Sequence, residues 1–164
     1  MAAPYFELIT GAELLERRDF PIIDNALLDP LSSNPIVEGE WLEVDPTTKK
    51  LKRSTGELTN GYSGQFWGEK GRSDIRAINK LPIILWGNYE AYTKVFNNVA
   101  GPTKPTTLGQ RLAVNDVLVD GLTRKGLMVP VAAGHHWIVG HYYGPGRTSS
   151  EIRFMRREPF DLVI

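Results

Sequence analysis

Gly39-Glu40-Trp41-Leu42-Glu43-Val44-Asp45 is echoed, seventy residues further on, by Gly109-Gln110-Arg111-Leu112-Ala113-Val114-Asn115. In both stretches a glycine precedes a Leu-x-Val alternation that stops at Asp or Asn, the period-two pattern of a half-buried strand running into a turn. Residues 46–50 then make a polar turn after the first stretch, with 51–54 returning as its partner strand, and Asp120-Gly121 gives the turn signal after the second. Two copies of a β-unit point to a pseudo-repeat. The shared pattern predicts equivalent strands whose Leu and Val turn into the same core, since a one-residue slip would turn every apolar side chain outward.

Further strands are predicted at residues 81–86 and 89–96, turned as a tight hairpin at Gly87-Asn88. Others fall at 111–114, 117–119, 127–131, 137–143 and 152–156. Gly56, Gly61, Gly64, Gly68 and Gly71 mark residues 54–73 as a long loop. Many short strands with Gly and Pro turns define an all-β fold, an antiparallel barrel or sandwich. The exception lies at the start of the chain. Thr10-Gly11-Ala12-Glu13 is a capping box and predicts a short helix from Gly11 to about Arg18, with Leu14 and Leu15 as its apolar face. Residues 19–35 then carry Phe20, Ile22, Ile23, Leu27, Leu28 and Leu31 among Pro21, Pro30 and Pro35, which reads as an extended arm. The organisation expected is therefore an N-terminal helix and arm over residues 1–35 and a β-rich domain over 36–164.

The composition narrows the function classes. The chain has 164 residues, 19 acidic and 19 basic side chains and no cysteine. A neutral balance gives no global field to attract nucleic acid or an anionic membrane. Without cysteine there is neither a disulfide framework nor a thiolate nucleophile. The first residues show no basic-then-apolar leader, and no apolar run approaches the roughly 20 residues that cross a bilayer, so the reading is a soluble, unexported protein.

The residues that could carry chemistry have simpler readings. His135, His136 and His141 cluster in sequence, but on a strand His135 and His141 stand about 20 Å apart and His136 faces the other way. That predicts no metal site. Glu38, Glu40, Glu43 and Asp45 read as a solvated hairpin, with Lys49, Lys50, Lys52 and Arg53 on the returning strand as their cross-strand partners. Arg153, Arg156 and Arg157 read as a salt-bridged contact in an oligomer. Tyr62, Phe66 and Trp67 are aromatic anchors or core plugs. No phosphate-binding loop and no nucleophile elbow is present. The expectation is a protein that is not an enzyme, holds no cofactor and no metal, and meets other chains through Phe20, Ile22, Ile23, Leu27, Leu28, Phe66 and Trp67.

The order of these features resembles the small β-rich decoration, or cement, proteins that coat the capsids of tailed bacteriophages. An apolar N-terminal segment leads into the hairpin Ile36-Val37-Glu38-Gly39-Glu40-Trp41-Leu42-Glu43-Val44-Asp45, which returns through Lys50-Leu51-Lys52-Arg53. A glycine-rich excursion follows, then Leu108-Gly109-Gln110-Arg111-Leu112-Ala113-Val114, Ile138-Val139-Gly140-His141 and a terminal strand. The resemblance runs from Ile36 to the end and is one of pattern, so no residue's role is carried over by it. It implies a homo-oligomer, trimer or dimer, that is made in the host cytoplasm, binds the major capsid protein on the outside of the virion and clamps neighbouring subunits. A tail or baseplate component would look similar, and Trp41, Trp67, Trp86 and Trp137 with the carboxylates leave a carbohydrate-binding β module or hydrolase as a third class.

Overall fold

The computed structural model describes residues 5–11, 15–22, 36–54, 63–68, 80–119, 122–132 and 137–162, with side chains described outside 115–119, 122–125 and 157–162. Every regular element among them is a β-strand. In chain order these are β1 (Phe6–Thr10), β2 (Glu16–Pro21), β3 (Trp41–Val44), β4 (Leu51–Arg53), β5 (Ser63–Gln65), β6 (Lys80–Trp86), β7 (Tyr89–Thr93), β8 (Arg111–Val119), β9 (Leu122–Pro130), β10 (Trp137–Pro145) and β11 (Ile152–Leu162). Their ladders are antiparallel and form a six-stranded sheet, β1-β7-β11-β10-β8-β9, a two-stranded ribbon, β2-β6, and a three-stranded sheet, β4-β3-β5. Among the described residues no ladder closes a barrel.

The sequence echo has a structural basis. Leu42 lies opposite Arg53 of β4 and Gly64 of β5; Leu112 lies opposite Pro130 of β9 and Gly140 of β10. Each quoted stretch is thus the central strand of three. Gly39 and Gly109 both have positive φ, at 92° and 82°, a conformation glycine adopts without steric cost. Each sits in a turn closed by a backbone bond, from the Glu40 amide to the Val37 carbonyl at 3.3 Å and from the Gln110 amide to the Thr107 carbonyl at 2.9 Å. The amides of both glycines then donate at 2.8 Å to matching carbonyls, Phe66 and Tyr142. Amides return from Phe66 to the Glu40 carbonyl at 2.9 Å and from Tyr142 to that of Gln110 at 2.8 Å.

The match extends outward. Phe66 bridges Ile83 of β6 and Tyr142 pairs with Phe154 of β11; β6 pairs with β2 as β11 pairs with β7. Beyond the ends of β2 and β7, Ile22 meets Leu51 of β4 and Phe96 meets Met128 of β9, each through a single parallel bridge. Two sets of five strands, β2-β6-β5-β3-β4 and β7-β11-β10-β8-β9, therefore share one pattern of neighbours, with β1 added outside β7.

Each set has its own core, which corrects the expectation of a shared one. Leu42, Val44, Ile22, Leu51, Phe66 and Ile83 pack in the first; Leu112, Val114, Phe96, Met128, Tyr142 and Phe154 pack in the second. The cores meet because β3 is buried on both faces: Leu42 and Val44 enter the first while Trp41, with Ile84 of β6, enters the second. Gly126 of β9 lies so close that a Cβ there would come within 2.6 Å of the Trp41 carbonyl.

Three further expectations are corrected. The helix from Gly11 to Arg18 is replaced, from Glu16 onward, by β2. A two-turn helix does not recover its nucleation cost alone, whereas residues 16–21 gain a full ladder with β6. Second, β6 and β7 are not a hairpin. At Gly87-Asn88 the chain leaves one sheet for another, and β1 and β2 accompany it on the other side, so residues 6–10 pair with 90–93 and 16–21 with 80–86. Gly11 lies against Asn88 and Tyr89 at that corner. Third, the predicted glycine-rich loop contains β5. Gly64 is required there because any Cβ would run into the Ile84 carbonyl, as one at Gly140 would run into that of Met155.

Candidate functional site

The residues predicted to meet other chains divide by burial. Ile22 and Phe66 are buried in the first core and Phe20 packs half-buried against it. Trp67 is half-buried against the second core, with the Arg17 guanidinium 5.0 Å over its ring and donating to its carbonyl at 3.2 Å. Ile23, Leu27, Leu28 and Tyr62 lie outside the described residues, as do His135 and His136. The acidic hairpin is not solvated. Glu40 and Glu43 are 3 % and 4 % exposed. Arg53 grips Glu40 with two bonds, 2.7 and 3.2 Å, and Lys52 lies 3.7 Å from both Glu43 and Asp45. The pairing with carboxylates expected for the basic cluster is present for Lys52 and Arg53.

The C-terminal arginines also separate. Arg156 is fully buried where the two sets meet, donating to the Ile84 and Leu85 carbonyls at 2.7 and 2.8 Å between the rings of Trp41 and Tyr89. It clips one set to the other inside a single chain, which overturns its reading as an oligomer contact. Arg153 does face outward. It bonds Glu90 and lies 5.6 Å from the Tyr143 ring, and that carboxylate raises its pKa further.

Arg153 belongs to the outer face of the six-stranded sheet. Along β11, Ile152 and Phe154 enter the core while Arg153 and Met155 point away; along β7, Tyr89 and Ala91 enter while Glu90 and Tyr92 point away. This is strand alternation. Register sets these outward residues in two rows. Arg111, His141, Met155 and Glu90 follow one another across β8, β10, β11 and β7. Beside them Arg153, Tyr92 and Glu7 cross β11, β7 and β1, with Tyr143 of β10 next to Arg153. Tyr143 is 46 % exposed, and Leu108, in the turn bonded to Tyr142, is 70 % exposed.

Arg147, in the loop joining β10 to β11, closes the rim. Its guanidinium sits 4.3 Å over the Tyr92 ring and binds Glu7 and Glu151, each at 2.9 Å. Its hydrogen bonds hold the buried Glu151 below the usual carboxylate range. The face thus offers rigid aromatic rings with arginines laid on them, and charges oriented by internal pairing. Such a surface supplies contact area and directed charge. Among the described residues no group of three His, Asp or Glu side chains is placed to hold a metal ion. Sequence reading singled out Arg153 and His141 from this face. The signal for the rest was the alternation Tyr89-Glu90-Ala91-Tyr92 and Ile152-Arg153-Phe154-Met155, which shows two faces but not which residues share them across strands.

No family model matches the chain, and neither the curated proteins nor the solved structures give a match.

Proposed function

We propose that the chain is a non-catalytic structural protein of a tailed-phage particle, which binds the outside of the capsid and stabilises the shell as a homo-oligomer. Its partners in this reading are the major capsid protein and copies of itself, dimer or trimer, with no part for nucleic acid, membrane or cofactor. The observation that carries it is the outer face of the six-stranded sheet. Tyrosine and arginine are the residue types that dominate interface energetics, because they combine large contact area with hydrogen bonding at small entropic cost. Here Tyr92, Tyr143 and Arg153 of the sheet stand with Arg147 of the loop at its rim. A sheet also suits a shell-binding role, since strand ladders hold its outward side chains in fixed register.

The test is cosedimentation of the purified protein with capsids of the particle that lack it, together with its mass by light scattering. Saturable binding by an oligomer is expected. A monomer that leaves the shells bare, and that a glycan array retains, overturns the reading in favour of a carbohydrate-binding module.

A further inference from the structure

One end of the second set holds apolar side chains out in solvent. β7 stops at Thr93, beside Phe6 at the start of β1 and Ile152 at the start of β11, and Pro145 at the end of β10 lies opposite Ile152. Residues 94–110, which join β7 to β8, and 146–151, which join β10 to β11, therefore close the same end, together with Tyr5. Among the described residues five large apolar or aromatic side chains are exposed, and four of them, Tyr5, Val99, Leu108 and Tyr143, lie here, each at least 46 % exposed. The fifth, Trp86, stands on β6 of the first set. Scattered singly, such residues need no explanation; gathered at one end, they mark an interaction surface.

Polar side chains fasten this end from within. The buried Asn97 donates to the Thr103 hydroxyl at 2.6 Å and accepts the Val99 amide at 3.1 Å. Gln110 Oε1 accepts the Thr106 and Thr107 amides at 3.0 and 3.2 Å, and the turn it caps carries Leu108. Asn98 donates to the Ser149 carbonyl at 3.4 Å, which joins the two connections, and the Lys94 amide donates to the Tyr5 carbonyl at 2.8 Å with its ammonium 5.5 Å over the Tyr5 ring. Connections as long as 94–110 with no strand of their own are uncommon in compact domains and mostly functional. Fixing such a loop before contact lowers the entropic cost of binding. No atom lies within 4 Å of where a Cβ would stand on Gly101 or Gly109, so a partner can come close to the backbone here.

The charge of this end is one-sided. Residues 94–111 carry Lys94, Lys104 and Arg111 and no acidic side chain, in a chain whose acidic and basic residues balance overall. Glu7 and Glu151, the carboxylates nearby, are both bound by Arg147. The surface that fits is therefore apolar at its centre and rimmed by carboxylates. A second copy docked through the same end would bring lysine to lysine, and like-charge juxtaposition disfavours it.

We infer that this loop end is the surface that meets the shell, with Leu108 and Val99 as its apolar anchors and Lys94 and Lys104 facing carboxylates of a capsid subunit. The inference rests on the structural-protein reading above and names the part of the chain that makes the contact.

Cosedimentation of the full chain with capsids that lack it, over a concentration series, reads the contact. Leu108→Asp removes an anchor and sets a carboxylate against an acidic rim, and should weaken binding at least about ten-fold. Leu108→Lys loses the same apolar group without adding negative charge and should cost less. Lys104→Glu should also weaken binding, and wild-type affinity should fall as salt screens the exposed charges. Trp86→Ser, at the exposed position of the first set, should bind as the wild type does, and unchanged urea midpoints show that the exposed-site variants are folded. Wild-type binding by Leu108→Asp and Lys104→Glu, a greater loss in Leu108→Lys than in Leu108→Asp, or an equal loss in Trp86→Ser overturns the inference. Capsids that bind the wild type and the loop variants alike remove this contact and leave the proposed function standing, whereas capsids that bind no form of the chain remove both.

Discussion

Trp41 in the first five-stranded set and Arg111 in the second occupy the same register position, one residue before the matching leucines Leu42 and Leu112, yet one is fully buried and the other exposed. Strand pairing is thus indifferent to what covers a sheet's outer face. The ladder needs only backbone groups and an apolar inner side, and Leu42 and Leu112 supply that identically, both with no exposed surface. The outer residue reports the neighbour: Trp41 and Gln65 are buried where the second core lies across the sheet, while Arg111 is exposed and His141 half-buried at the matched positions.

The sharpest way to break this comparison is to truncate both members of the pair. Trp41→Ala empties a site at the junction of the cores and removes the ring beneath the Arg156 guanidinium. A buried tryptophan replaced by alanine costs about 3–5 kcal/mol, so its urea midpoint should fall steeply. Arg111→Ala, at an exposed position, should stay within about 0.5 kcal/mol of the wild type. Equal losses at the two positions would mean that Arg111 carries packing its exposure does not reveal.

The two glycines that open the echoed stretches give a second, smaller contrast. An L-residue at positive φ costs about 1–2 kcal/mol, and both Gly39→Ala and Gly109→Ala should show that loss in thermal or urea unfolding. Gly39 should lose about 1 kcal/mol more, the order expected from mild overpacking. Its Cβ would come within 3.0 Å of Phe6 Cβ and 3.2 Å of Thr93 Oγ1, while nothing lies within 4 Å at Gly109. Equal effects would show that the turn conformation alone matters at both places.

These glycines also explain how much could be read from the chain alone. The repeat was legible because its signal is local: a left-handed glycine, a leucine and a valine within six residues. The all-β class followed from the same kind of pattern. Gly64 and Gly140, which match each other just as closely, were not legible, since what demands them is a carbonyl of β6 or β11 about fifteen to twenty residues away in sequence. The helix expected after Thr10 failed for a related reason: a capping box records local preference, and the ladder between β2 and β6 joins residues 59 to 70 apart. The aromatic–arginine face was hidden because it is assembled from five strands, and only register brings Tyr92, Arg153 and Tyr143 side by side. Glu40 and Glu43 were misjudged because charge suggests solvent, whereas their strand is packed on both sides.

The smallest expected effect compares the two hairpin loops, each organised by one carboxylate. Asp45 accepts the Thr48 and Thr47 amides at 2.8 and 2.9 Å in the loop between β3 and β4, and these bonds hold its pKa below the ordinary range. Glu151 accepts from the Arg147 side chain and amide in the loop between β10 and β11, and is likewise held low, chiefly by that side chain. A carboxylate with a depressed folded-state pKa contributes stability that is fully present above its unfolded value, about 4.3 for glutamate, and is lost as pH falls through the lower folded value. Stability of the wild type should therefore decline below about pH 4.3, with part of the decline belonging to Glu151. Glu151→Gln should cost about 1 kcal/mol at neutral pH, the net size of a hydrogen bond, and flatten the acid limb of a stability–pH curve measured in urea. Asp45→Asn should move that limb less, because its loop is open to water and carries none of the aromatic face. If the two variants proved equal, Arg147 would be a surface ion pair like any other and not the clamp that fixes the rim over Tyr92.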